Sequence, residues 1–160
     1  MKTVGFFVLL MLLASSQAFA QARDAVEVKR SVIATERKMI VSANMPLSEE
    51  ESAAFWPVYN EFQDTMRKLN DRRTNLILDL ITEFDDLSGE RAQDMVKEAL
   101  SIEEQRIKIQ RKYLGKFNKV LPPKKVARFF QIENRLNARI SDELLSRMPL
   151  IDPDVAAPPN

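Results

Sequence analysis

Large apolar side chains recur at intervals of three, four and seven along most of this chain, interrupted at only a few short places. An α-helix turns once every ~3.6 residues, so such spacing gathers apolar groups on one face and commits these segments to amphipathic helices. The longest stripe passes through Phe55, Tyr59, Phe62, Met66 and Leu69, then Leu76, Leu80 and Phe84. Ser48 stands ahead of it as an N-cap, and Glu51 three residues later completes a capping box. Glu49, Glu50 and Glu51 put negative charge at the positive end of the helix dipole. Pro57 falls inside the stripe. Because the stripe resumes in phase, the expectation is a kink and not an end.

An earlier stripe places Val26, Ile33 and Ile40 every seven residues, with Val32 and Met39 alongside, and predicts a helix over about 24–43 that Asn44-Met45-Pro46 stops. After Phe84, Asp85-Asp86-Leu87-Ser88-Gly89 breaks the pattern, and Ser88 can cap a third helix. That helix opens with Glu90 and Asp94 and closes with Lys112, Lys116 and Lys119, a charge order that suits its dipole. Leu100, Ile107, Leu114 and Leu121 form a strict heptad row in it, widened by Met95, Val96, Tyr113, Phe117 and Val120. Pro122-Pro123 follows at once. Proline at the first helical position loses no needed N–H, and Leu121 can pack back on Val126 if Pro122 is the N-cap. The short connection predicts a sharp helix–helix turn. A fourth helix then carries Val126, Phe129, Phe130, Leu136, Ile140 and Leu144 and ends near Arg147. The fold class expected is all-α, an elongated hairpin or bundle of about four helices in one domain, 21–147. With only three glycines, tight β-hairpin turns have little to build on.

The two ends read differently. Lys2, an apolar run over Val4–Ala14 and the sequence Ser15-Ser16-Gln17-Ala18-Phe19-Ala20 read as a secretory signal peptide over 1–20, cut after Ala20, the alternative being an uncleaved membrane anchor. The run is too short to span a bilayer well, which takes ~20 residues. At the other end "MPLIDPDVAAPPN", 148–160, has four prolines and no periodicity, and is expected to be an extended or disordered tail.

Composition removes whole classes of chemistry. Without Lys2 the chain carries 23 basic and 23 acidic residues, so the basic excess typical of nucleic-acid binders is missing. There is no histidine and no cysteine, hence no imidazole base, thiolate nucleophile or disulfide, and the usual ligands of soft and borderline metals are absent. No Walker loop, dinucleotide fingerprint or nucleophile elbow occurs. No catalytic residue, cofactor or metal is therefore expected. Carboxylates such as Glu104 fall four residues from a base, here Lys108, as on solvated helix faces. Asp85 and Asp86, with Glu83 or Glu90, could hold a hard cation or simply decorate a helix end.

Two features remain for recognition. A basic band runs through Lys108, Arg111, Lys112, Lys116, Lys119, Lys124, Lys125 and Arg128; it is either a solvated face or a binding surface. The aromatics are mostly core, but adjacent rings, Phe55-Trp56 and Phe129-Phe130, point about 100° apart. One of each pair then lies on a flank or in an intermolecular seam. The candidate partner-binding residues are Trp56, Lys112, Lys116, Lys124, Lys125, Arg128 and Phe130.

Helices that start on leucine followed by serine or proline, behind a signal peptide and in a charged, cysteine-free body, resemble the Spy/CpxP superfamily of bacterial periplasmic stress proteins, marked by two LTxxQ-type helix starts. Leu47-Ser48-Glu49-Glu50-Glu51 stands at the first motif and Leu121-Pro122-Pro123-Lys124-Lys125 at the second, with Ser48 and Pro122 in place of threonine and Glu51 and Lys125 in place of glutamine. The resemblance implies a four-helix protomer in an antiparallel dimer shaped as a thin cradle. It implies either an ATP-independent chaperone for unfolded or misassembled envelope proteins, or a periplasmic partner of a stress-sensing kinase or sigma-factor pathway. The metal-binding branch of that superfamily uses histidine, which this chain lacks. Export makes one direct prediction. Mass spectrometry of the protein recovered from the periplasm should find Gln21 at its N-terminus, and an intact Met1–Ala20 segment there would refute it.

Overall fold

The computed structural model describes residues 33–146 and 150–151. The signal peptide, the first part of the earliest helix and most of the proline-rich tail lie outside the described residues. Among the described residues the chain is all-α, four helices and no strand. The first, α1, spans 33–44, and Asn44 Nδ2 donates to the Ile40 carbonyl at its last turn, 2.8 Å away. The chain from Met45 onward forms a compact unit of its own. It contains α2 (Glu49–Glu83), a 3-10 turn at Phe84–Asp86, α3 (Gly89–Phe117) and α4 (Pro123–Leu145).

The local signals act as the residue types require. Ser48 Oγ accepts from the Glu51 N–H at 3.2 Å while the Ser48 N–H donates to Glu51 Oε2 at 2.8 Å, a complete capping box. Ser48, and likewise Ser88 at the start of α3, has the extended backbone of an N-cap. α2 runs unbroken through Pro57, which lies on its exposed side. At the Pro122-Pro123 turn, the amides of Lys125 and Val126 donate to the Pro122 carbonyl, and Pro123 is the first residue of α4. Leu121 and Val126 are both buried beside it.

Side-chain pairs set the direction of each helix. Glu61 meets Lys116, Arg72 meets Glu98 and Gln105, and Glu83 meets Arg91, so residue numbers rise along α2 as they fall along α3. Glu51 meets Lys125, Gln63 meets Glu133 and Arg73 meets Ser141, so α4 runs parallel to α2. The unit is an up-down-up arrangement in which α2 and α3 are the closely packed pair.

Its core is aromatic. Phe55, Tyr59 and Phe62 from α2, Tyr113 and Phe117 from α3 and Phe129 from α4 are buried, and the Phe117 and Phe129 rings lie 4.5 Å apart between centroids. Farther along, Met66, Leu69, Met95 and Ile102 continue the core between α2 and α3. The buried face of α3 is not the heptad row expected from the sequence. Leu100, Ile107 and Leu114 are 61%, 47% and 43% exposed, whereas Ile102 is 1% exposed; of that row only Leu121 is buried. The reason is geometric. Met95, Ile102 and Ile109 form a second heptad row, and Ile102 and Ile107 lie about 140° apart around the helix. One helix cannot turn both rows toward α2. The row in phase with Tyr113 and Phe117 wins, because it lets the larger rings be buried.

Phe129 and its neighbour test this packing. Phe129 is fully buried and touches the rings of Phe55, Tyr59, Phe62 and Phe117, so Phe129→Ala should cost about 3–5 kcal/mol. Phe130 is half-buried, and Phe130→Ala should cost clearly less. Urea denaturation of both variants checks the ranking, and equal losses would place both rings in the core.

Candidate functional site

The residues singled out for partner binding gather around one end of the three-helix unit, but they differ in how available they are. Trp56 is half-buried, in edge contact with Phe55 and Tyr59, and its Nε1–H donates to Ser52 Oγ at 2.9 Å. Phe130 is half-buried against Phe62, Phe117 and Phe129. Two of the basic residues are engaged in helix pairing. Lys125 Nζ donates to Glu51 Oε2 at 2.5 Å, and Lys116 Nζ donates to both Glu61 oxygens at 2.6 and 2.7 Å. Lys116 Nζ also lies 4.9 Å from the centre of the Tyr113 ring and Lys112 Nζ 5.7 Å from it, within cation–π range. Lys112, Lys124 and Arg128 are exposed, as are Lys108, Arg111 and Lys119. Much of the band therefore faces water, while Lys116 and Lys125 tie α3 and α4 to α2.

These pairs move titrations in consistent directions. The Lys125 ammonium, with help from the Ser48 N–H, holds the Glu51 carboxyl below the ordinary carboxylate range. Lys116 does the same to Glu61, and is itself pushed up by it. Arg91 lowers Glu83, which raises Arg91 in return. Glu83 is thus engaged by a cation of its own chain, and Asp85 and Asp86 are exposed beside it. No group of acidic residues arranged to hold a metal occurs among the described residues.

The surface that sequence reasoning missed is aliphatic. On the side of α3 away from the core, Val96, Leu100, Ile107 and Leu114 line up exposed along its length. The signal was present as two competing heptad rows on one helix, one of which had to be left over. A second feature lies where α2 and α3 near their shared turn. Leu76, Ile77 and Leu80 of α2 and Met95, Val96 and Ile102 of α3 enclose an apolar cleft of about 290 Å³. Leu145, at the end of α4, Ile151, Arg73 and Glu103 also line it. Leu78 and Ile81 are exposed on the adjoining face of α2. No described helix is long and apolar enough to cross a membrane. Comparisons with protein-family models, with characterised proteins and with solved structures find no match.

The ion pairs set a pH profile. Folded-state carboxyls held low bind fewer protons than their unfolded counterparts, so their contribution is present above the unfolded pKa and is lost as pH falls through the folded one. Lys116, raised by Glu61, contributes below its unfolded pKa and loses that contribution as pH rises through its folded value. With no histidine, no side chain of ordinary pKa titrates between these limits. Urea midpoints should be flat from about pH 5.5 to 9 and fall in acid below about pH 4. In Glu61→Gln the acid fall should be shallower, and a steep change near neutrality would contradict this account.

Proposed function

We propose that this chain is an exported, non-enzymatic holdase that binds unfolded or misassembled envelope proteins in the periplasm without ATP, in the manner of the Spy/CpxP proteins its helix starts resemble. The observation that carries the reading is the aliphatic surface left outside a well-packed aromatic core, on the face bearing Leu78 and Ile81 and in the cleft beside it. Exposed apolar patches of this kind serve protein contacts. The charge balance supports encounter with clients of either sign, since 23 basic and 23 acidic residues remain outside the signal segment. Neither histidine nor cysteine is needed for such a role.

A second copy of the chain suits the α3 row. Leu100 and Leu114 stand seven residues either side of Ile107, and Glu103 and Arg111 stand four either side. If two α3 helices cross antiparallel about a two-fold axis at Ile107, Leu100 faces the partner's Leu114 and Glu103 faces the partner's Arg111. The apolar and charged groups then match in one register. This gives the antiparallel homodimer a seam on α3, away from Phe130.

Aggregation assays should find that the mature protein suppresses heat-induced aggregation of several unrelated clients without nucleotide, most strongly at low salt. Failure to suppress, with tight capture of a single membrane sensor, would favour the regulatory alternative. The cysteine-free sequence makes the seam directly testable. Ile107→Cys should form a disulfide-linked dimer under mild oxidation, as should a mixture of Leu100→Cys and Leu114→Cys, whereas either of the latter alone should not.

A further inference from the structure

Gly115 stands inside α3, near its C-terminal end and exposed on the side away from the core. After proline, glycine is the poorest former of helix interiors. Neither packing nor backbone conformation requires it here: an added Cβ would meet nothing within 4 Å, and the residue is not in the left-handed region. Arg111 and Lys112 precede it by four and three residues, Lys119 follows by four, and Lys108 lies a turn earlier. All four are exposed, and none forms an ion pair among the described residues. A bare helix surface ringed by cations leaves one use for the glycine, the close approach of a ligand. We propose that this surface docks the protein peripherally on bilayers with anionic headgroups, their phosphates seated over Gly115.

Charge complementarity carries the choice of partner. Between Glu104 and Glu133 the chain has nine lysines and arginines and no acidic residue, whereas residues 71–104 hold ten acidic and four basic ones. A neutral chain is thus divided into a basic part and an acidic part, and repulsion of the acidic part turns the basic one toward an anionic surface. The helix dipole accounts for Lys116 and Lys119 at the end of α3. Its effect falls off within the last turn, and Lys108, Arg111 and Lys112 stand before that turn. Residues 108, 112, 115 and 119 recur at helical spacing and line one face over about 16 Å. Three of the four cations are lysines, which meet phosphate as point charges without a fixed bidentate geometry. An open, extended lysine surface fits an array of headgroups better than a single enclosed anion. It lies about 80–100° around α3 from Ile107 and Leu114, so it does not compete with the seam on that row.

The test uses the mature chain and sedimentation with sucrose-loaded vesicles of phosphatidylcholine, with and without phosphatidylglycerol. Binding should require phosphatidylglycerol and weaken as salt is raised. Gly115→Glu sets an anion in the middle of the surface while improving helix propensity, so the urea midpoint should not fall and vesicle affinity should drop about tenfold. The double variant Lys112→Ala, Lys119→Ala should lose a similar amount. Lys97→Ala, which removes a cation held by Asp94 in the acidic part of α3, should leave binding unchanged. No binding to the phosphatidylglycerol vesicles, or binding that Gly115→Glu does not weaken, overturns the proposal. Polyglutamate bound as tightly as the vesicles, with the same response to Gly115→Glu, overturns the lipid assignment in favour of acidic polypeptides.

Discussion

The unit from Met45 onward hangs on the contact of Phe117 with Phe129 and the rings that surround it. Phe55 and Phe62 approach from α2, each within 6.0 Å of both Phe117 and Phe129 between ring centroids. Three helices are thereby joined through one aromatic cluster beside the Pro122-Pro123 turn. Rings of this size bury large apolar areas and prefer edge-on or tilted contacts, as seen at Phe55–Phe129 and Phe62–Phe117. They also hold helix axes apart. α3 lies close to α2, while α4 is attached across the aromatic layer by its side chains.

Aromatic packing alone specifies register loosely, because many ring arrangements are nearly equal in energy. The polar pairs at the margins narrow the choice. Lys125 with Glu51, Gln63 with buried Glu133 and Arg73 with Ser141 fix α4 along α2 at three levels. Lys116 with Glu61, Arg72 with Glu98 and Gln105, and Arg91 with Glu83 do so for α3. Most of these groups are part-exposed, where an ion pair contributes little to stability. Their role is to select one alignment from several more than to add to total stability.

How far the sequence could be read follows from the kind of signal each element carries. Ser48 with Glu51, Ser88, and Pro123 after Pro122 are short-range signals whose partners lie within four residues, and helix starts at all three are found where expected. The α2 stripe was legible because its large residues lie on one face. The inward face of α3 was not, because Leu100–Ile107–Leu114 and Met95–Ile102–Ile109 have the same period; the choice between them depends on rings supplied by two other helices. The engagement of Lys116 and Lys125 was hidden for a similar reason. Their carboxylate partners lie 55 and 74 residues away, beyond any helical spacing rule. The turn angle predicts that one ring of each adjacent pair leaves the core without saying which; Trp56 and Phe130 are half-buried while Phe55 and Phe129 are fully buried.

Where α4 stops has a dynamic consequence. Ser141 is level with Arg73, and α4 ends four residues later, whereas α2 continues to Glu83. Among the described residues the last turns of α2 and the first of α3 pack chiefly on each other, and Leu78, Ile81 and Val96 there face water. Free energies of local opening track buried contacts, so this end should be a weak cooperative unit, with amides that exchange well ahead of those around Phe117. A protein divided in this way can let one end loosen while the aromatic end keeps the helices in register.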